Sequence, residues 1–442
     1  MSARKAFVVV LFALVALLPQ FALAVEVKVV PGAKGGDVWF VEDHTVPIIA
    51  MSASIPAGSA YDPHGKDGLS AMAAALMDEG AGKMTADAFQ SALGDKAIQL
   101  SVSPGRDYAV IRLVTLADNA KEAFRLLGLA ITHPRFDPDA INRIRAQMIE
   151  SIKQDEQDPP TVAAKEFNSR FFGNYPYAHS VGGSPETLGA ITQGDLRAFV
   201  RSHWVRGGMK VSVSGDVDEA TLKTLLSAAF DAIPASRPAA LPPLPRSGAP
   251  GIKAIPLPVP QPTIAFGLPG ILRSDKDFIP AYVANYILGG GGFSSRLMNE
   301  VREKRGLTYG ISTDLSTLSK AGVFSGRVAT KKESVAQTID VIRQVMKHFV
   351  EQGATSAELA DAKTYLTGSF PLAFASNTGI AAQLNSFQRV GLSPDYITKR
   401  NALIEAVTDA DIKRVAKRLF DPAKLTIVVG GTYSEPKAKA RP

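Results

Sequence analysis

AITQGDLRAFVRSHWVRGGMKVSVSGD, residues 190–216, and AVTDADIKRVAKRLFDPAKLTIVVGGT, residues 406–432, align without a gap. Thr192 matches Thr408, Asp195 matches Asp411, Trp204 matches Phe420 and Gly215 matches Gly431. Each block reads as a threonine-capped helix, a turn and a strand ending in glycine, because a Thr side chain can accept an N–H of the first helical turn and a β-branched run follows. An internal repeat of this kind implies two copies of one domain type.

Working outward, Ile233–Pro262 is dense in Pro, Ala and Gly and reads as an extended linker between the copies. The spacing of apolar residues predicts strands at Ile48–Ile55, Tyr108–Thr115, Met209–Ser214, Thr263–Leu268, Gly310–Leu315, Gly322–Ala329 and Leu425–Val429. It predicts amphipathic helices at Ala120–Ile131, Ala140–Gln154 and Val335–Gln352. Strands and helices mixed without strict βαβ alternation give an α+β fold, with each half a mainly antiparallel sheet and helices packed on one face. The expected boundaries are 1–24 for a signal peptide, 25–235 and 261–435 for the two domains, 236–260 for the linker and 436–442 for a tail.

Arg4 and Lys5 precede an apolar run, Ala6–Leu18, too short to span a bilayer, and Ala22-Leu23-Ala24 forms a small-residue cleavage site. This pattern predicts export to a bacterial periplasm with Val25 as the first mature residue; an uncleaved anchor is the alternative. Removing Arg4 and Lys5 takes Lys+Arg from 49 to 47 against 42 acidic residues, a net charge of +5. The excess is spread along the chain, which argues against a nucleic-acid partner. The absence of cysteine excludes disulfides, a thiol nucleophile and thiolate metal ligands.

FSSRLMNEVREKRGLTYGIS, residues 293–312, stands apart from the core pattern. Leu297, Glu300 and Val301 recur at helical spacing, and Arg296 and Glu300 are spaced for an i,i+4 ion pair. Gly306 is expected to stop the helix. Leu307, Tyr309 and Ile311 then alternate with Thr308, Gly310 and Ser312 as in a strand. The turn brings Arg302 close to Tyr309, where a guanidinium and a phenol can donate together to a carbonyl or carboxylate. A solvated Arg beside a half-buried Tyr is the plainer alternative.

RLMNEVREKRGLTYG resembles the C-terminal-domain signature of the M16 metallopeptidases, the insulinase and pitrilysin family with its mitochondrial-processing-peptidase relatives. YPYAHSVGGSPETLGAITQGDLRAFVRSHW, GRDYAVIRLVTLADN and DPPTVAAKEF fit the same family in the right order. The resemblance implies that Arg302 and Tyr309 bind the substrate backbone near the cleaved bond. It also implies a zinc motif, His-x-x-Glu-His, with a distant Glu as third ligand. The equivalent helix here puts Ala71 and Ala75 at the His positions and Ala74 at the Glu, and Ser151 falls at the distant ligand. Glu150 is no simple substitute, since neighbours on a helix diverge by about 100°. None of the six histidines forms an i,i+4 pair.

The chain therefore keeps the substrate-side pair and lacks metal ligands and base. The resemblance implies the non-catalytic subunit of an exported heterodimeric peptidase, with zinc on a partner chain that retains His-x-x-Glu-His, and a peptide as substrate. The alternative is a peptide-binding or structural module without a peptidase partner. An independent hydrolase finds no support, because no Gly-x-Ser-x-Gly elbow is present and the Gly289–Gly292 run lacks the Gly-Lys-Ser/Thr of a phosphate loop.

Overall fold

The computed structural model describes residues 26–32 and 36–433. The expected signal peptide and C-terminal tail lie outside them. The first half contains β1 (Lys28–Pro31), β2 (Asp37–Glu42), β3 (Ile48–Ile55), α1 (Leu69–Ala75), α2 (Ala86–Gly94), β4 (Gln99–Pro104), β5 (Ala109–Leu116), α3 (Ala120–Thr132), α4 (Pro138–Asp155), α5 (Pro159–Phe172), α6 (Pro185–Ala190), α7 (Gln193–His203), β6 (Lys210–Gly215) and α8 (Glu219–Phe230). The second contains β7 (Gly251–Ile255), β8 (Thr263–Pro269), α9 (Phe278–Asn285), β9 (Ile311–Thr317), β10 (Gly322–Ala329), α10 (Val335–Gln352), α11 (Ser356–Gly368), α12 (Asn377–Arg389), α13 (Tyr396–Glu405), α14 (Asp409–Leu419) and β11 (Thr426–Gly430). No described helix is long and apolar enough to cross a membrane.

The two sheets repeat one topology. Their strand orders are β1-β2-β6-β3-β5-β4 and β7-β11-β8-β10-β9. After β1 is set aside, the five strands of each half follow the same path. In both, the first and last of the five pair in parallel, β2 with β6 and β7 with β11, while β3 and β8 pair antiparallel with both neighbours. The repeated blocks match in detail. Thr192 and Thr408 each accept the N–H of Asp195 or Asp411 at 3.2 Å, and each Asp returns the bond to the threonine N–H. This reciprocal capping box fixes where α7 and α14 begin. Trp204 and Phe420 are both buried, in the first and second cores respectively.

The structure adds a second layer to the expected one. Apart from the helices over the core face, each sheet is covered on its other face by a helix from the opposite half: α12 lies on β3 and β6, and α5 lies on β8 and β11. The sequence hides this because the strand residues on those faces are small or polar, which reads as a solvent face. In β3 and β6, Met51, Ala53, Val211 and Val213 enter the core, whereas Ser52, Ser54, Ser212 and Ser214 lie on the opposite face yet are buried. Asn385 donates to the carbonyls of Ser52 (3.2 Å) and Lys210 (3.0 Å), Gln388 donates to Val211 (3.0 Å), and Ser214 donates to Asn377 (2.7 Å). On the second sheet Gly267 and Gly430 leave room for α5, since a Cβ would meet the Phe167 ring at 2.7 Å or the Pro159 carbonyl at 2.5 Å.

Two expectations need correcting. The Pro-rich stretch is not wholly a linker, because Gly251–Ile255 forms the edge strand β7 along β11. The predicted strand after Gly306 begins only at Ile311.

Gly215 and Gly431, the matched ends of the repeat, have φ of +140° and +142°. A Cβ on Gly215 would lie 2.1 Å from the Ile48 carbonyl, and one on Gly431 2.5 Å from Pro262. Gly215→Ala and Gly431→Ala are each expected to cost at least about 1–3 kcal/mol from backbone strain, read as a lower urea midpoint at unchanged slope.

Candidate substrate-binding turn and degenerate zinc helix

Ser295 starts the Arg302 helix: it is buried and its hydroxyl accepts the Met298 N–H at 3.4 Å. Leu297, Met298 and Val301 turn into the second core. From Met298 to Glu303 the helix widens into a π-type turn, a local form frequent at functional sites. Gly306, at φ +61°, ends it, and its N–H donates to the Arg302 carbonyl at 2.8 Å. The expected Arg296–Glu300 pair is not made. Arg296 instead forms a two-pronged bond, 2.6 Å for each prong, with Glu358 of α11 and lies 5.0 Å from the Phe349 ring centre. Glu300 takes Lys304 and Arg305, each at 2.6 Å. The better partner for Arg296 comes from tertiary structure, which helical spacing cannot reveal.

Past Gly306 the chain stays irregular. Leu307 is buried, and its carbonyl accepts the Thr330 hydroxyl at 2.6 Å. Thr308 is held against Ala329 at 2.7 Å and accepts the Gly310 N–H at 3.0 Å. This frame throws Tyr309 outward: it is 89% exposed and makes no hydrogen bond among the described residues. The half-buried Tyr of the plainer reading is thus absent. Arg302 is ion-paired with its neighbour Glu303 and stacks on the Phe293 ring, 4.8 Å from its centre. No hydrogen bond joins Arg302 to Tyr309. Phe293, 70% exposed at the end of the glycine run, is the member of this surface that the sequence reading passed over. An unshielded aromatic directly after Gly289–Gly292 was the signal available.

The four degenerate positions divide. Ala71 and Ala74 are buried on α1, whereas Ala75 and, on α4, Ser151 are exposed. The helices α1 and α4 are in contact. Three methyl groups and one hydroxyl offer no imidazole, carboxylate or base, and zinc does not fit this set. No group of three or more His, Cys, Asp or Glu suited to a metal occurs among the described residues. Leu69, Met72, Ala73 and Leu76 remain in the first core, so α1 is kept by packing. Its N-terminus is held by Asp62, which accepts the N–H groups of Gly68 and Ser70, both at 2.8 Å.

Residues 38–184 match the family model described as insulinase (peptidase family M16), and residues 190–366 match peptidase M16 inactive domain. The chain belongs to peptidase family M16. A non-peptidase homolog, YmxG, of Helicobacter pylori is 29% identical over 352 residues, covering 79% of this chain and 80% of that one. An uncharacterized zinc protease of Streptomyces coelicolor is 26% identical over 362 residues, 80% of this chain and 79% of the other. Among solved structures, a peptidase M16 inactive domain from Pseudomonas fluorescens superposes with a TM-score of 0.88 at 28% identity, covering 93% of this chain and 99% of that one. A protease from H. pylori superposes at 0.83 with 18% identity over 91% and 99% of the two chains, a likeness of fold. The two-domain M16 fold agrees with that membership.

Burial pushes the Asp62 carboxyl up to about 7 against the opposing effect of its backbone donors. A carboxyl raised above its unfolded value favours the folded state while protonated, so this contribution is present below about pH 4 and is lost as pH rises towards 7. Asp62→Asn is expected to remove that slope, seen as a wild-type-minus-variant stability difference that falls between about pH 4 and 7 and is flat above it.

Proposed function

We propose that this chain is the non-catalytic, substrate-binding subunit of an exported heterodimeric M16 zinc peptidase. One observation carries the reading: a rigidly framed Arg302/Tyr309 turn faces solvent in a chain whose zinc positions hold only Ala71, Ala74, Ala75 and Ser151. Arg302 holds a substrate carbonyl, and Tyr309 donates to the same carbonyl or to the oxyanion that develops there. Zinc and the general base belong to a partner with an intact His-x-x-Glu-His. Before substrate arrives, Arg302 rests on Glu303 and Phe293. An exposed ion pair of this kind is worth about 0–1 kcal/mol, so a peptide carbonyl can take over the guanidinium at little cost. Export to the periplasm rests on Arg4, Lys5, the apolar run and the Ala22–Ala24 site.

A second reading, a peptide-binding or structural module with no peptidase partner, draws on the Arg302–Glu303 pair, which already neutralises the guanidinium. The two separate in an assay of zinc content and peptide cleavage. The mature protein alone should be zinc-free and inert, and mixing it with a His-x-x-Glu-His-containing M16 chain of the same organism should raise cleavage above that chain alone. In the mixture, Arg302→Ala and Tyr309→Phe should each lower kcat/KM by about tenfold or more. Full activity in both variants removes the assigned roles. Stoichiometric zinc in the chain alone overturns the non-catalytic assignment, and no gain on mixing leaves the module reading.

A further inference from the structure

A cleft of about 610 Å³ lies where the two halves meet. The first half contributes the β4–β5 turn. The second contributes the loop after β8, the β9–β10 turn and the last turn of α12. The charged side chains of its wall are Arg106, Arg112, Arg273, Arg389 and Asp107, so four positive charges face one negative. Asp107 is already committed: it accepts the Tyr177 hydroxyl and, at 2.8 Å, the Ser319 N–H. Arg106 is partly used as well, donating to the carbonyls of Tyr177 (2.7 Å) and His179 (3.0 Å).

The other three guanidinium groups are under-used. Arg112 reaches only the Ser103 hydroxyl, at 3.3 Å. Arg273 and Arg389 make no side-chain hydrogen bond or ion pair among the described residues, and Arg273 Nη2 and Arg389 Nε are sealed from solvent without an acceptor. Both are nonetheless fixed in place. Arg273 lies 4.5 Å and 4.9 Å from the ring centres of Phe278 and Tyr396, and Arg389 sits in the last turn of α12, where the helix dipole favours a cation. Burial and the nearby Arg112 charge push the Arg389 guanidinium below its ordinary value, with Tyr108 and Asp107 opposing. Holding like charges together, partly desolvated and without acceptors, is costly unless something supplies the acceptors.

We propose that this cleft is a binding site for a small multivalent oxyanion, a phosphate compound or a di- or tricarboxylate, gripped by Arg273 and Arg389 from the second half and Arg112 from the first. Planar guanidinium forks match the paired oxygens of either group, and a cleft with a net three positive charges concentrates anions. The bound anion would bridge the halves. The inference is independent of the peptidase reading, because Arg302 and Tyr309 are not among the residues of the cleft.

The test is titration calorimetry and thermal unfolding of the mature protein in low salt with inorganic phosphate, pyrophosphate and citrate, each against sodium chloride of equal ionic strength. At least one oxyanion should bind measurably and raise Tm by about 2–4 °C beyond the chloride control. A response to citrate alone assigns a carboxylate ligand, and one to the phosphates alone assigns a phosphoryl ligand. Arg273→Gln and Arg389→Gln should each weaken binding about tenfold or more, with Tm in anion-free buffer unchanged or higher because an uncompensated charge is gone. Arg389→Lys keeps the charge but loses the fork, and should bind more weakly than the parent; it carries the test if the Gln variants do not fold. Absence of any response beyond chloride, or undiminished affinity in the variants that fold, overturns the proposal.

Discussion

The architecture depends on the exchange of one helix between the halves. α12 closes the first sheet and α5 closes the second, each over a face its own half leaves bare. The two contacts are built differently. α12 is tied down by amide side chains bonding to the carbonyls of β3 and β6, over a floor of buried serines. α5 is seated by shape, with Phe167 and Phe171 packed over a floor made shallow by Ala265, Gly267 and Gly430. The amide N–H groups of Asn385 and Gln388 each meet a particular carbonyl of β3 or β6, so the first contact also sets the register of α12 on the sheet. The cleft between the halves is connected to the same exchange, because Arg389 ends the helix whose Asn377, Asn385 and Gln388 bond to the first sheet.

Much of this was legible from local pattern. The repeat, the strands β3, β5, β6, β8, β10 and β11 and the threonine caps of α7 and α14 are all short-range signals, and β3, β10 and α10 lie at their expected bounds, whereas the interior strand β2 was not anticipated. What escaped was set by distant partners. The edge strands β1, β4 and β7 carry weak alternation because an edge is packed less fully, and β7 was masked by proline on both sides. The burial of Ser52 and Ser212 could not be read from β3 and β6, since the helix that covers them lies far along the chain.

The candidate site shows the same division. Gly306 as a helix stop follows from glycine's access to positive φ and was readable directly. The ion-pair partner of Arg296 was not, because Glu358 sits on another helix. Tyr309 was expected on a strand and is on an irregular turn, held by Thr308 and by the buried Leu307, which is what leaves its ring exposed. At the degenerate zinc helix the sequence was informative because chemistry is set by residue type: an alanine cannot ligate zinc in any fold. Packing of Leu69, Met72, Ala73 and Leu76 in the first core holds the helix without any metal donor.

The helix exchange also bears on symmetry and descent. Two copies of a half-length chain, each lending its helix to the other's sheet, form a closed two-fold pair with no unfilled face. This protein has the same arrangement within one chain, with residues 236–250 running from the first copy to the edge strand β7 of the second. Once the copies are fused, selection no longer acts on both through a single sequence. The side chains of one copy can then change while those of the other stay, yet neither copy can discard the helix on which the other depends.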